Sequence, residues 1–101
     1  MHIILGCDDV GSAVARNLST SGEEIFVIDN DESALIGLRE FNIRTHLADI
    51  HTLDLCTLPT KGTIAFVLLQ KNFKDNLTLV KRIKKLFPDK FIVSRDRKSV
   101  V

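Results

Sequence analysis

The sequence predicts a doubly wound α/β fold on a parallel five-stranded sheet in the order 3-2-1-4-5. Short apolar runs alternate along the chain with segments of helical period. The fourth run, Thr63 to Leu69, shows no polar–apolar alternation, as befits a strand covered on both faces. The first run ends in a turn bracketed by glycines, Gly6 and Gly11, that opens a helical segment. Right-handed crossovers between parallel strands then place helices on both faces and a switch point between strands 1 and 4.

Ile3-Ile4-Leu5, stopped by Gly6, is the first strand. Val10, Ala13, Val14 and Leu18 form a helical stripe at spacings of three and four, and Ser19-Thr20-Ser21-Gly22 ends it, with Gly22 as the C-terminal stop. Ile25 to Ile28 is the second strand, closed by Asp29. Asn30-Asp31-Glu32-Ser33 starts a helix with an Asn or Asp cap and acids in the first turn, running to about Phe41. Ile43 to Leu47 is the third strand. Asp49 to Leu58 stays ambiguous; Leu53 and Leu55 suit a short helix stopped before Pro59. Lys74 to Phe87 is the best helix, with a stripe of Leu77, Val80, Ile83, the stem of Lys84, and Phe87; Pro88 stops it. Phe91-Ile92-Val93 is the fifth strand. The usual sixth strand has no counterpart, so residues 1–101 read as one domain truncated before strand 6 and excised from a longer protein.

Composition narrows the function. Hydrophobic residues make up 45% and charged residues 27% of 101, too apolar for disorder. The longest apolar run, Ile64 to Leu69, is six residues, against roughly 20 for a membrane helix. No signal peptide is visible, and the two cysteines, Cys7 and Cys56, suit a reducing, cytoplasmic setting. Cys56 reads as core. His2, His46 and His51 have no metal-ligand spacing. Gly11-Ser12-Ala13 lacks the G-x-S-x-G elbow, and no length remains for a substrate domain, so the domain itself reads as non-catalytic. Residues 1–70 carry four Lys/Arg against ten Asp/Glu, a net of −6, and residues 71–101 ten against three, a net of +7. The basic cluster Lys81-Arg82-Lys84-Lys85 has no interleaved aromatics and reads as a solvated helix face rather than a nucleic-acid surface.

The turn Gly6-Cys7-Asp8-Asp9-Val10-Gly11 follows a strand and opens a helix. It is the Rossmann-type dinucleotide fingerprint G-x-G-x-x-G with Asp8 in place of the middle glycine. Gly6 permits the tight turn, and Gly11 lets helix and strand pack closely. The helix N-terminus offers free N–H groups and a positive dipole end to phosphate. Asp29 ends strand 2, eighteen positions beyond Gly11, where a ribose-binding carboxylate is expected. An acid there disfavours a 2′-phosphate, so NAD or an adenine nucleotide fits better than NADP. Two readings of the turn stay open. Asp8 or Asp9 caps the helix and stands in for the phosphate, or Asp8 points away and a phosphate still fits.

These residues also resemble a family. Ile3-Ile4-Leu5-Gly6, Val10-Gly11, Val14-Ala15, Leu18 and Val27-Ile28-Asp29-Asn30-Asp31 are similar to the TrkA-N domain, also called the RCK domain (regulator of potassium conductance). Ala48-Asp49-Ile50 resembles its G-D-A segment after strand 3. Asp75-Asn76-Leu77 resembles the segment opening the helix after strand 4, and Ile92-Val93-Ser94-Arg95 its strand 5. The resemblance implies a cytoplasmic regulatory module, commonly a homodimer, that binds NAD(H), ATP, ADP or AMP and controls a membrane potassium channel or transporter. It implies phosphate contacts around Gly6, Cys7, Asp8, Asp9, Val10 and Gly11, ribose contacts at Asp29 beside Asn30, and adenine contacts at Asp49 and the backbone of Ile50. Arg16 matches a position where some relatives present an arginine to phosphate; Arg95 matches with no assigned role. The sequence departs from the pattern at Asp8 and Ala48, where the family has glycine. Such modules also precede DHH-type phosphoesterases, including exopolyphosphatase-related proteins, so a covalently linked catalytic domain is the alternative partner. Neither nucleic acid binding nor membrane insertion is expected. A degenerate module used only for protein contacts is the remaining reading.

Overall fold

The computed structural model describes residues 1–6, 9–58, 62, 65–70 and 73–94. The most apolar segments take the centre of the sheet, where neither face meets water. Ile3, Ile4 and Leu5 of β1 (His2–Leu5) are fully buried. β1 lies between β2 (Ile25–Asp29) and β4 (Ala65–Leu68), whose four residues are all buried. β3 (Arg44–Leu47) and β5 (Phe91–Ser94) form the edges, giving the order β3-β2-β1-β4-β5 with every pair parallel. This is the predicted topology. Thr63 and Ile64, placed in the fourth strand from sequence, lie outside the described residues.

Alternate residues of the central strands face two separate cores. Ile4, Val27 and Val67 meet α1 (Asp9–Thr20) and α2 (Glu32–Arg39) through Ala15, Leu35 and Leu38. Ile3, Leu5, Ile28, Phe66 and Leu68 meet Leu79 and Ile83 of α3 (Phe73–Leu86), with Ile50, Leu55 and Leu58 from the segment after β3. Phe66 and Phe87 stack there at 5.5 Å.

Three sequence readings of packing change. In α1 the buried positions are Gly11 and Ala15, with Val14 and Leu18 half-buried, while Ala13 is exposed. Two small residues one turn apart bring the helix close to the sheet and rotate its stripe. In α3 the stripe is Asn76, Leu79, Val80, Ile83 and Phe87, and Leu77 is exposed. The polar Asn76 is buried, and its Nδ2 donates to the Gln70 carbonyl at 2.7 Å. Cys56, read as core, is exposed. It sits in a 3₁₀ turn, Leu55–Thr57, capped by Asp54, whose flanking Leu55 and Leu58 face inward.

Two helices end in the same hydrogen-bonded motif. After α1, Glu23 N–H donates to Leu18 O (3.1 Å) and Gly22 N–H to Ser19 O (3.0 Å), with Gly22 at φ +88°. After α2, Ile43 N–H donates to Leu38 O (3.4 Å) and Asn42 N–H to Arg39 O (3.1 Å), with Asn42 at φ +59°. The paired six-to-one and five-to-two bonds satisfy the last carbonyls and reverse the chain into the next strand. At the other end of α2, Asp31 is the cap: its side chain accepts from Ser33 N–H at 3.0 Å and from the Ser33 hydroxyl at 2.6 Å.

Candidate nucleotide site

Parallel strands bring their C-terminal ends to one rim, and of the predicted site residues Gly6, Asp29, Asn30, Asp49 and Ile50 lie at or just beyond those ends. β1 ends at Gly6, whose φ of +99° suits glycine. Its N–H donates to Ile28 O at 2.9 Å, and Leu69 N–H donates to Leu5 O at 3.0 Å, so the rim stays knit on both sides of β1. A Cβ on Gly6 would lie 2.9 Å from both the backbone nitrogen and Cγ of Gln70. The chain segments that follow β1 and β4 therefore approach each other closely. Gln70 Oε1 is buried there with no hydrogen-bond partner among the described residues. Gly11 is buried, in keeping with close helix–strand packing. Cys7 and Asp8 lie outside the described residues, as do the side chains of Asp9 and Val10, so the choice between an internal cap and an open phosphate position is not drawn from the fold.

Asp29 closes β2 half-buried, and its Oδ1 accepts the N–H of Asp31 at 2.9 Å. Its carbonyl accepts Ala48 N–H at 2.9 Å, tying the ends of β2 and β3 together. Asn30 is exposed beside it. Asp49 repeats the device: its Oδ1 accepts His51 N–H at 2.9 Å, and its carbonyl accepts Thr52 and Leu53 N–H at 3.2 and 2.9 Å. Asp49 is exposed, whereas the Ile50 side chain belongs to the core, leaving only its backbone to the rim.

Arg16 goes elsewhere. Its Nε donates to Ser12 O at 3.3 Å, and its guanidinium lies over the Phe41 ring at 5.9 Å. Phe41 follows the C-terminal end of α2, whereas Asp29 and Asp31 flank the N-terminal end, so Arg16 is not gathered with the carboxylates.

Three residues that sequence reading did not single out for the site lie in or against these turns. Gln70 carries no pattern beyond following an apolar run. His51, whose N–H bonds to Asp49, also reaches Asp75 on α3, Nε2 to Oδ2 at 3.6 Å. Arg82, read as part of a solvated basic cluster, turns inward. It donates through Nη1 to Ile50 O and His51 O, each at 3.4 Å, and through Nη2 to Leu53 O at 3.0 Å. Among the described residues no three His, Cys, Asp or Glu side chains gather as a metal site, and no helix is long and apolar enough to cross a membrane.

The described part of this rim gathers a half-buried strand-end carboxylate, Asp29, a glycine at φ +99°, Gly6, and the buried amide oxygen of Gln70, which has no hydrogen-bond partner among the described residues.

Comparison with known proteins agrees with the fold. The family model described as the TrkA-N domain matches residues 2–100. The glutathione-regulated potassium-efflux system protein KefC of Klebsiella pneumoniae strain 342 is 31% identical over 98 residues, covering 94% of this chain. KefC of Escherichia coli O139:H28 matches equally. The chain spans only 16% of the length of either relative. Among solved structures, the TrkA-N domain of the inner membrane protein ybaL from Escherichia coli superposes with a TM-score of 0.83 at 22% identity, over 94% of this chain and 71% of that one. The NAD(P)-binding domain of an exopolyphosphatase-related protein from Archaeoglobus fulgidus gives 0.73 at 20% identity, over 93% and 71%.

Proposed function

The chain belongs to the TrkA-N domain family, and from that premise we propose that it is a regulatory domain that binds NAD(H) or an adenine nucleotide and controls potassium transport. The observation that carries this reading is the rim itself: Gly6 at φ +99° beside the start of α1, with Asp29 at the end of β2. Asp29 accepts from the ribose hydroxyls. The first N–H groups of α1 take a phosphate, and the Asp49–Ile50 backbone faces the adenine. Ligand bridging the crevice between β1 and β4 changes how this domain packs on a second copy or on its transporter, a population shift rather than a reaction. No residue is assigned a catalytic role. The 31% identity to KefC favours a potassium-efflux protein as the attached body. The likeness to the exopolyphosphatase-related protein keeps a linked phosphoesterase as the alternative, and finding Asp-His-His motifs downstream in the parent protein would select it.

Titration calorimetry with NAD, NADH, AMP, ADP and ATP tests the reading. Saturable binding of at least one is expected, weakened in Asp29→Asn, which keeps an oxygen acceptor for Asp31 N–H but removes the charge. That loss is about tenfold or more, the worth of one charge-assisted hydrogen bond. A folded protein that binds none of the five overturns it.

A further inference from the structure

The turn after β3 is held from outside as well as from within. Its own bonds run from Asp49 to His51, Thr52 and Leu53. These leave the carbonyls of Ile50, His51 and Leu53 to be satisfied from another element. One side chain, Arg82, supplies donors to all three, across 29 to 32 residues of sequence. A guanidinium can do this because its donors form a rigid planar fork. An ammonium is a compact point charge and cannot span three carbonyls in one geometry. Arg82 is half-buried on the flank of α3, and Asp75, two helical turns earlier on the same flank, meets His51 at 3.6 Å. Asn76, next to Asp75 in sequence, donates to the Gln70 carbonyl, and Gln70 packs on Gly6. α3 therefore grips the rim at two places, beside Gly6 and at the turn Asp49–Leu53.

From this arrangement we infer that Arg82 is a positioning residue for base recognition: it sets the backbone of Ile50 and His51 against which the nucleotide's base lies, without touching the ligand. The inference rests on the proposed nucleotide reading and deepens it. It assigns the discrimination among bases to a residue on α3, and the phosphate and ribose contacts to β1, α1 and β2. Loss of Arg82 frees three carbonyls and the turn that carries them, so the base end of the site loses its shape while the phosphate end keeps it. A residue that merely stabilised the fold would weaken all nucleotides together.

The test compares the unaltered protein with Arg82→Met, which keeps the apolar stem and removes the donors. Two readouts are taken. Amide hydrogen exchange is expected to quicken about tenfold or more at His51, Thr52 and Leu53, with the β1, β2 and β4 amides unchanged. Calorimetry with AMP, GMP and UMP is expected to show a preference for AMP in the unaltered protein that shrinks about tenfold in Arg82→Met, because the AMP affinity falls while the other two hold. Arg82→Lys is expected to restore neither. Unchanged exchange at those three amides, or equal weakening of all three nucleotides, overturns the inference and leaves the nucleotide reading intact. An unaltered protein that binds none of AMP, GMP and UMP overturns the inference, and one that also binds none of NAD, NADH, ADP and ATP overturns the nucleotide reading with it.

Discussion

Gly6 and Gln70 occupy space that admits no side chain between them: a Cβ on Gly6 would lie 2.9 Å from the Gln70 backbone nitrogen, and Gly6 sits at φ +99°. Gly6→Ala therefore meets two penalties, a disfavoured backbone and a clash with main chain that cannot swing aside. Urea denaturation is expected to show a loss of about 2–4 kcal/mol. Gly22→Ala is the control. Gly22 has φ +88° with nothing within 4 Å of the added Cβ, so only the backbone penalty applies, about 1–2 kcal/mol.

Asn42 plays the part at the end of α2 that Gly22 plays after α1, at φ +59°. Glycine removes the strain that asparagine tolerates, so Asn42→Gly is expected to stabilise by up to about 1 kcal/mol, and Asn42→Ala to destabilise by about 1 kcal/mol. The same denaturation series reads both, and a more stable Asn42→Ala would show that the left-handed turn is not kept in solution.

The α2 cap carries a pH signature. The Ser33 hydroxyl, then the Ser33 N–H, hold the Asp31 carboxyl below its ordinary value of 3.8. A depressed folded value means that the contribution is fully present above the unfolded value and is lost as pH falls through the folded one. Asp31→Asn keeps an acceptor and loses the titration. Thermal unfolding from about pH 2 to pH 6 is expected to show the wild-type advantage rising up to the ordinary carboxylate range and flat above it. Ser33→Ala is expected to bring the Asp31 titration, followed by NMR, back toward 3.8. A wild-type advantage that grew below the folded value would contradict the sign.

Asp8 stands where the fingerprint has glycine. A carboxylate about 4 Å from a phosphate costs about 4 kcal/mol at an effective dielectric of 20. Asp8→Gly is expected to tighten NAD binding by about tenfold or more, read by calorimetry. NAD binding no tighter in that variant than in the unaltered protein would acquit Asp8 as the obstacle.

Much of this architecture was legible in the chain because local chemistry and topology agreed. Gly22 marked a helix stop that only a left-handed residue supplies, and the unbroken run ending at Leu69 marked a strand covered on both sides. What stayed hidden depended on a partner far along the chain. Leu77 fits a helical stripe as well as Leu79 does, yet in the fold Leu79 is buried and Leu77 exposed, on a helix whose Asn76 bonds to Gln70 before it. Arg82 sits among lysines and looks solvated, until a turn some 30 residues away presents three carbonyls to it. Arg16 follows the phosphate turn by position, yet its guanidinium finds Phe41. Spacing alone places a residue on an element; it does not say which way a long side chain reaches.

The central place of β1 has a consequence for how the protein is made. β1 pairs with β2 on one side and β4 on the other, His2 with Ile25 and with Ala65. The second partner is synthesised 63 residues after the strand it completes. At ribosomal speeds of about 5–20 residues per second, that interval is about 3–13 s. During it, a half-sheet β3-β2-β1 would present an unpaired apolar edge, Ile3-Ile4-Leu5, of the kind that pairs with other chains. Arrival of β4 closes that edge, so a nascent-chain chaperone has the most to protect before Ala65 to Leu68 emerges.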